Sequence, residues 1–219
     1  MRVLWVTLLI LAADQITKVW VKLTMLPQES IPVLGNFFRL TFTENPGMAF
    51  GLSLGSKLFL TLFSLVATVL IGVYLWHVRK GPTGYRVALA LILGGALGNI
   101  IDRVFYGLIW GYDRLFYGNV VDFIHFDIWR GVVPESVPLL GGRYFAIFPI
   151  GNIADLAIIG GVAAIILFQR RFHNAMVEAE SARAEMAPAM EPVASVAPPV
   201  DGMASVPPTP MAGEESAAG

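Results

Sequence analysis

Asp155 is the only ionisable residue in the 20 residues from Pro149 to Phe168, and Asp122 sits among apolar neighbours in the run Val-Val-Asp-Phe-Ile. An ionised carboxylate at the centre of a hydrocarbon span costs about 2.5–3.5 kcal/mol on insertion scales, so such residues face a bundle interior or an aqueous cavity. Asp122 by itself reads either as a turn-former or as an acid drawn into a partly buried site. If the two meet, they can share one proton, because two close carboxylates cannot both ionise cheaply. One acid and one base at neutral pH would support general acid–base hydrolysis with neither a metal nor a covalent nucleophile. Taken alone, Asp155 is equally a proton relay, a substrate contact or a structural bond.

Other polar residues fall at helical spacing beside apolar ones. Asp14 and Lys18 form an i, i+4 pair in the favourable acid-first order, Asn99 and Arg103 are also i, i+4, and Asn152 and Asp155 are i, i+3. Each pair makes one polar stripe on its helix. At about 1.5 Å per residue, Asp14 lies near a membrane midplane, Lys18 and Asn99 toward one surface, and Arg103 near that interface. A helix starting at Pro149 would carry Asp155 about 9 Å deep. Asp14 with Lys18 reads as an inter-helix hydrogen-bonding pair rather than as chemistry, and Gly94 and Gly98 in "GGALGN" as close helix packing. Arg103, beside Asp102, has snorkelling as its plainer reading. His125 and Asp127 lie near Asp122, but with three histidines and no second one at ligand spacing a zinc site is not expected, and no other cofactor is called for.

The elements that must position these groups are membrane spans. The chain is 56% hydrophobic and 14% charged, with a mean hydropathy of +0.67. Four stretches reach the length that crosses a bilayer core: Val3–Val21, Leu58–Trp76, Tyr85–Phe105 and Pro149–Phe168. The first runs on through Asp14, Gln15 and Lys18 past the small residues Ala12 and Ala13, which argues against a cleaved signal peptide. There is no cysteine, which excludes disulfides, a thiolate nucleophile and a cysteine metal site. Arg2, the loop cations Arg79, Lys80 and Arg86, and Arg170 with Arg171 put both termini in the cytoplasm by the positive-inside rule. Residues 22–57 and 106–148 then face outward. "FFRLTFT", followed by turn residues Asn45, Pro46 and Gly47, predicts a short sheet at that outer surface.

Residues 1–171 carry fourteen Lys/Arg against nine Asp/Glu, whereas 172–219 carry one Arg against seven acids. The expected organisation is a four-helix membrane domain over 1–171, a helical extension over 172–187 and a disordered tail, with seven prolines, over 188–219. No nucleic-acid partner is expected. Two non-hydrolytic classes compete. A small proton-coupled transporter would use Asp155 and Asp14 as a relay, yet it calls for acids along one path across the membrane. A membrane scaffold with structural polar bonds gives no reason for two aspartates in Asn- and Arg-rich surroundings.

Five separated blocks, "DQITK" at 14–18, "TENPGMAFG" at 43–51, "GALGNIIDRV" at 95–104, "VVDFI" at 120–124 and "NIADLAI" at 152–158, resemble the motifs of the lipoprotein signal peptidases, or signal peptidase II, in order and in the elements that carry them. The resemblance covers about residues 1–170. It implies an all-α membrane fold with four transmembrane helices and a small periplasmic β-sheet. It also implies an intramembrane aspartic endopeptidase of the bacterial inner membrane that cuts lipid-modified prolipoproteins before the diacylglyceryl cysteine. By that resemblance Asp122 and Asp155 are the catalytic pair, Asn45, Gly47, Asn99, Arg103 and Asn152 line or support the site, and Asp14 and Lys18 support it from the first span. Membrane lipids are the other expected partner. The chain departs from the family pattern in longer links at Gly107–Val120 and Trp129–Phe148, and at Met48, Gly151 and Leu156.

Overall fold

The computed structural model describes residues 2–49, 52–53, 56–128, 130–137, 141–142, 144–146 and 148–186. The tail expected over 188–219 lies outside the described residues. Four helical segments are long and apolar enough to cross a membrane: Leu4–Thr24, Lys57–His77, Thr83–Ile109 and Ile153–Glu178. The first three agree with the sequence to within a few residues. Their outer faces carry Leu8, Phe63, Val69 and Leu167, all more than half exposed, as lipid-facing side chains must be.

Helices α1 (Leu4–Thr24), α2 (Lys57–His77) and α3 (Thr83–Ile101) are followed by a π-helical turn, Asp102–Tyr106, and the short α4 (Gly107–Ile109). α5 runs from Ile153 to Met186. α3 is central and packs against α1, α2 and α5. Its glycines allow that: a Cβ at Gly94 would press on Ile10 and Thr7 of α1, one at Gly95 would collide with the Ala154 carbonyl of α5, and one at Gly98 with the Asp14 carboxylate.

The π turn has a partner in the loop that follows. The carbonyls of Arg103 and Val104 accept hydrogen bonds from Gly118 N (2.9 Å) and Phe116 N (2.9 Å). Thr61 Oγ1 and Lys57 Nζ of α2 donate to the carbonyls of Phe116 (3.0 Å) and Tyr117 (3.2 Å). The loop is thereby clasped between the start of α2 and the end of α3.

The sheet expected from "FFRLTFT" is present and larger than the sequence suggested. Strands β1 (Ser30–Leu34), β2 (Phe38–Asn45) and β5 (Val120–Phe126) pair antiparallel in the order β1-β2-β5, with Ser30 opposite Thr41 and Thr43 opposite Asp122. Two small hairpins, β3 (Met48–Ala49) with β4 (Leu52–Ser53) and β6 (Arg130–Val132) with β7 (Tyr144–Ala146), complete the strands. β5 is buried through His125 on both faces, so it lacks the alternation of a half-exposed strand. That settles the two readings of Asp122 in favour of a buried strand residue.

Two apolar clusters bracket the polar residues. One joins Val21, Phe42, Tyr106, Val121 and Phe123 at the sheet end of the bundle, and the other joins Val3, Val6, Leu75, Leu89 and Leu93 at the far end.

The fourth span needs a correction. The helix begins at Ile153, not Pro149, so Asp155 sits in its first turn rather than six residues deep. The cause is local competition for backbone groups. Gly151 forms a bridge with Ile124 of β5, exchanging Gly151 N with Ile124 O (3.0 Å) and Ile124 N with Gly151 O (2.7 Å), and an amide committed to a sheet cannot serve a helix.

Candidate active site

Asn152 caps α5. Its Oδ1 accepts from Asp155 N at 2.9 Å, and the Asp155 carboxylate reaches back to accept from Asn152 N at 3.2 Å. This reciprocal arrangement is a capping box, and it fixes Asp155 at the positive end of the helix dipole. Because a backbone N–H can only donate, Asn152 Oδ1 must face it, which turns Nδ2 the other way. That Nδ2 donates to Asp122 Oδ1 at 2.7 Å, with the Val121 carbonyl at 3.3 Å. One buried amide therefore joins the two aspartates that the sequence singled out.

Asn99 of α3 is oriented by the same logic. Lys18 Nζ, a donor only, touches Asn99 Oδ1 at 2.9 Å, and Asn152 Nδ2 approaches the same oxygen at 3.2 Å. Asn99 Nδ2 is left to donate to Asp155 Oδ1 at 2.8 Å. Asp155 thus accepts from a side chain on α3 and from the backbone at its own helix start.

Asp122 is 3% exposed. Burial first, and then the neighbouring Asp155 charge, push its carboxyl up to about 8, against the opposing effects of Lys18 and of hydrogen bonds from Asn152 and Asn45. Asn45 also closes the turn after β2, accepting from Gly47 N at 2.9 Å. Gly47 has φ +106°, a conformation that L side chains rarely adopt, and a Cβ there would run into Leu60 and stand 3.4 Å from Arg103 Nη1. Arg103 faces the charges of Asp122, Asp102 and Asp155, yet among the described residues its guanidinium makes no hydrogen bond or salt bridge. It borders a cleft of about 180 Å³ with Asn99, Thr68 and Ile158. A second cleft, of about 260 Å³, opens on Asp155 and Asn152 between Phe148, Leu156 and Ile159. Gly151 stands in its wall, and a Cβ there would lie 2.9 Å from Asp155 Oδ2.

Asp14 and Lys18 stand behind the site. Lys18 Nζ lies 2.8 Å from Asp14 Oδ2 and 2.8 Å from Asp102 Oδ2, with all three side chains fully buried. Asp14 Oδ1 accepts from Ala154 N of α5 at 3.0 Å, and Asp102 Oδ2 accepts from Val121 N of β5 at 3.2 Å. Gln15 Nε2 donates to Asp102 Oδ1 at 3.0 Å and to Asp14 Oδ2 at 3.1 Å, and Tyr106 Oη donates to Gln15 Oε1 at 3.1 Å. The inter-helix reading of the pair is right, and it reaches further than the sequence indicated.

All nine residues singled out in the sequence therefore fall in one connected region. Asp102, Gln15 and Tyr106 were not among them. A signal for Asp102 was available: it follows Gly94 and Gly98 at four-residue spacing, on the face that α3 turns toward α1. His125, considered earlier beside Asp127, faces away from Asp122 and shares a hydrogen bond of 3.0 Å with Thr41 Oγ1.

Known proteins resemble the chain in sequence and in fold. A family model described as signal peptidase (SPase) II matches residues 6–170. The chain is 41% identical over 179 residues to a lipoprotein signal peptidase of Amoebophilus asiaticus, covering 75% of this chain and 76% of that protein. It is 36% identical over 178 residues to one of Pelodictyon phaeoclathratiforme, covering 80% and 92%. A bacterial membrane enzyme solved by the in meso method at 2.3 Å superposes with a TM-score of 0.58 at 29% identity, covering 78% of this chain and 88% of that one. These matches decide against the transporter reading: the chain belongs to the signal peptidase II family of multi-pass membrane peptidases.

Proposed function

We propose that this chain is an aspartic endopeptidase that removes the signal peptide from diacylglyceryl-modified prolipoproteins, cutting before the lipidated cysteine. The observation that carries the aspartic assignment is the single amide of Asn152, which holds Asp122 Oδ1 at 2.7 Å while its oxygen and its backbone N–H hold Asp155. Family membership supports the substrate class.

The hydrogen bonds suit different roles for the two carboxyls. Asp155 is surrounded by donors and acts as acceptor, which fits the base. Asp122, with its carboxyl pushed up to about 8, fits the acid. In this mechanism Asp155 takes a proton from a water as that oxygen bonds to the scissile carbonyl carbon, and Asp122 donates to the carbonyl oxygen. When the tetrahedral intermediate collapses, the C–N bond breaks, Asp155 passes its proton to the leaving nitrogen, and Asp122 recovers its own from the oxygen. Arg103, unengaged beside the pair, positions substrate oxygens, a task that suits a planar guanidinium. The two apolar clefts receive side chains and acyl chains flanking the bond.

The same reading places the protein in the bacterial inner membrane with both termini cytoplasmic and the site toward the periplasmic leaflet, on the strength of the loop cations. Residues 1–171 form the peptidase, with 172–187 and 188–219 as an extension and a tail outside the chemistry. The test is cleavage of a lipobox peptide by purified protein in detergent, with no ion gradient. The diacylglyceryl peptide should be cut before its cysteine and the unmodified peptide at most at a hundredth of that rate. Equal turnover of the two, or cleavage of neither, would count against the proposal.

A further inference from the structure

A charged cavity at the sheet end of the bundle has no part in the proposed chemistry. It encloses about 430 Å³ where α1 ends, and Lys22, Glu44, Trp110 and Tyr112 form its polar wall. The Lys22 ammonium pairs with Glu44 and lies 5.2 Å from the Trp110 ring and 5.1 Å from the Tyr112 ring. Asn119 Nδ2 holds the other oxygen of Glu44 at 3.0 Å. Two buried polar atoms in this neighbourhood have no partner among the described residues: Trp110 Nε1, a donor, and Asn119 Oδ1, an acceptor. A buried polar group without a partner costs about 1–3 kcal/mol, so a ligand acceptor that reached the indole N–H would recover that cost.

The remaining wall is apolar. Leu23 and Leu26 are 68% and 74% exposed and continue the lipid-facing side of α1, where Trp20 is also half exposed. The cavity thus joins a pair of opposite charges, two aromatic rings and a greasy rim at the depth where tryptophan and lysine mark a membrane interface.

We infer that this cavity binds the headgroup of a phospholipid of the adjoining leaflet, one that pairs a phosphate with a primary ammonium. The phosphate would sit on Lys22 with the Trp110 N–H as a further donor, and the ammonium on Glu44, so that four charges alternate in sign. The acyl chains would run down α1 over Leu23 and Trp20. A headgroup with a quaternary ammonium offers no N–H to Glu44, and one with a glycerol in place of the amine brings no cation. Glu44 is suited to the role: burial tends to push its carboxyl up, but hydrogen bonds from Lys22 and Asn119 outweigh this and keep it below the usual carboxylate range.

Native mass spectrometry of the detergent-solubilised full chain, titrated with single lipids, tests the assignment. Phosphatidylethanolamine should be retained about tenfold more strongly than phosphatidylcholine or phosphatidylglycerol. Glu44→Gln should bring the three within about twofold, and Trp110→Phe, which keeps the ring but removes the donor, should weaken phosphatidylethanolamine about fivefold. Asp122→Asn should change none of these, which separates this site from the peptidase reading. Equal retention of the three lipids by the unaltered chain would overturn the proposal, as would an unchanged preference in both Glu44→Gln and Trp110→Phe. Displacement of the lipid by an equal concentration of soluble phosphoethanolamine would overturn the lipid as its source.

Discussion

Two pairs of carboxylates, all buried except the partly buried Asp155, lie side by side in this protein, and they differ in how their charge is met. In the first, Asp14 and Asp102 flank the Lys18 ammonium, and their other contacts are donors from Ala154 N, Val121 N and Gln15. In the second, Asp122 and Asp155 are held by the amides of Asn152 and Asn99, and among the described residues neither forms a salt bridge. Breaking a buried ion pair by removing one partner costs about 3–5 kcal/mol, so the first cluster is fixed in charge and place. The second has no cation at hydrogen-bonding distance, and the cheapest way to bury it is to keep a proton. One cluster holds the helices; the other, on the proposed mechanism, keeps a proton that chemistry can use.

The comparison breaks most directly at the second cluster. Asp122→Asn and Asp155→Asn keep the hydrogen-bonding shape but cannot titrate, and each should lower turnover by at least about a thousandfold in a defined peptide assay. The double variant should be no slower than either single one. Turnover near the original rate in Asp155→Asn would make that residue structural.

The converse variant belongs to the first cluster. Lys18→Met leaves Asp14 and Asp102 without their cation and should destabilise the fold by about 3–5 kcal/mol, read as a lowered unfolding temperature in detergent. An unchanged midpoint would show that Lys18 is not the keystone of the helix contacts.

Between the clusters stands Asn99, the residue that touches both. Asn99→Leu removes the donor to Asp155 while Lys18 keeps both its carboxylates, so the chain should still fold. Turnover should fall about a hundredfold while the unfolding temperature stays within a few degrees; equal activity would mean that Asn99 only packs.

The smallest effect is on pH. With its carboxyl pushed up to about 8, Asp122 holds its proton on the acid side of that value and loses it above. Turnover should decline as pH rises through about 8, reaching about a tenth of its plateau one unit higher. The proton held more tightly in the folded state also stabilises the fold at low pH, and that contribution is lost as pH rises from the ordinary value of 3.8 through about 8. Asp122→Asn should remove this dependence of the unfolding temperature, and a descending limb unmoved from that of other variants would assign it elsewhere.

How much of this was legible in the sequence follows from how local each feature is. Asp14 with Lys18, Asn99 with Arg103 and Asn152 with Asp155 were placed on common faces because helical spacing depends on near neighbours alone. β5 was not foreseen: "VVDFIHF" is buried on both faces and so lacks the alternation that marks a half-exposed strand. The start of α5 was set four residues early because Pro149 and Ile150 are as apolar as the helix that follows, and it takes the bridge between Gly151 and Ile124 to stop it. Asp102 entered the sequence reading only as the neighbour of Arg103, and its burial becomes visible only when α1 lies beside α3.

The π-helical turn Asp102–Tyr106 amounts to one residue more than a regular helix would hold. Removing any single residue from it would give a continuous α-helix, a change that local propensity favours. Residues beyond the deletion would keep nearly their present orientation, because the wide turn is what absorbs the extra residue. The carbonyls of Arg103 and Val104 would be claimed by the helix, and Gly118 and Phe116 would lose their acceptors. A one-residue deletion in this turn is therefore a mutation of the loop after it: the helix would be better formed, and the loop that leads into β5 would be cast off.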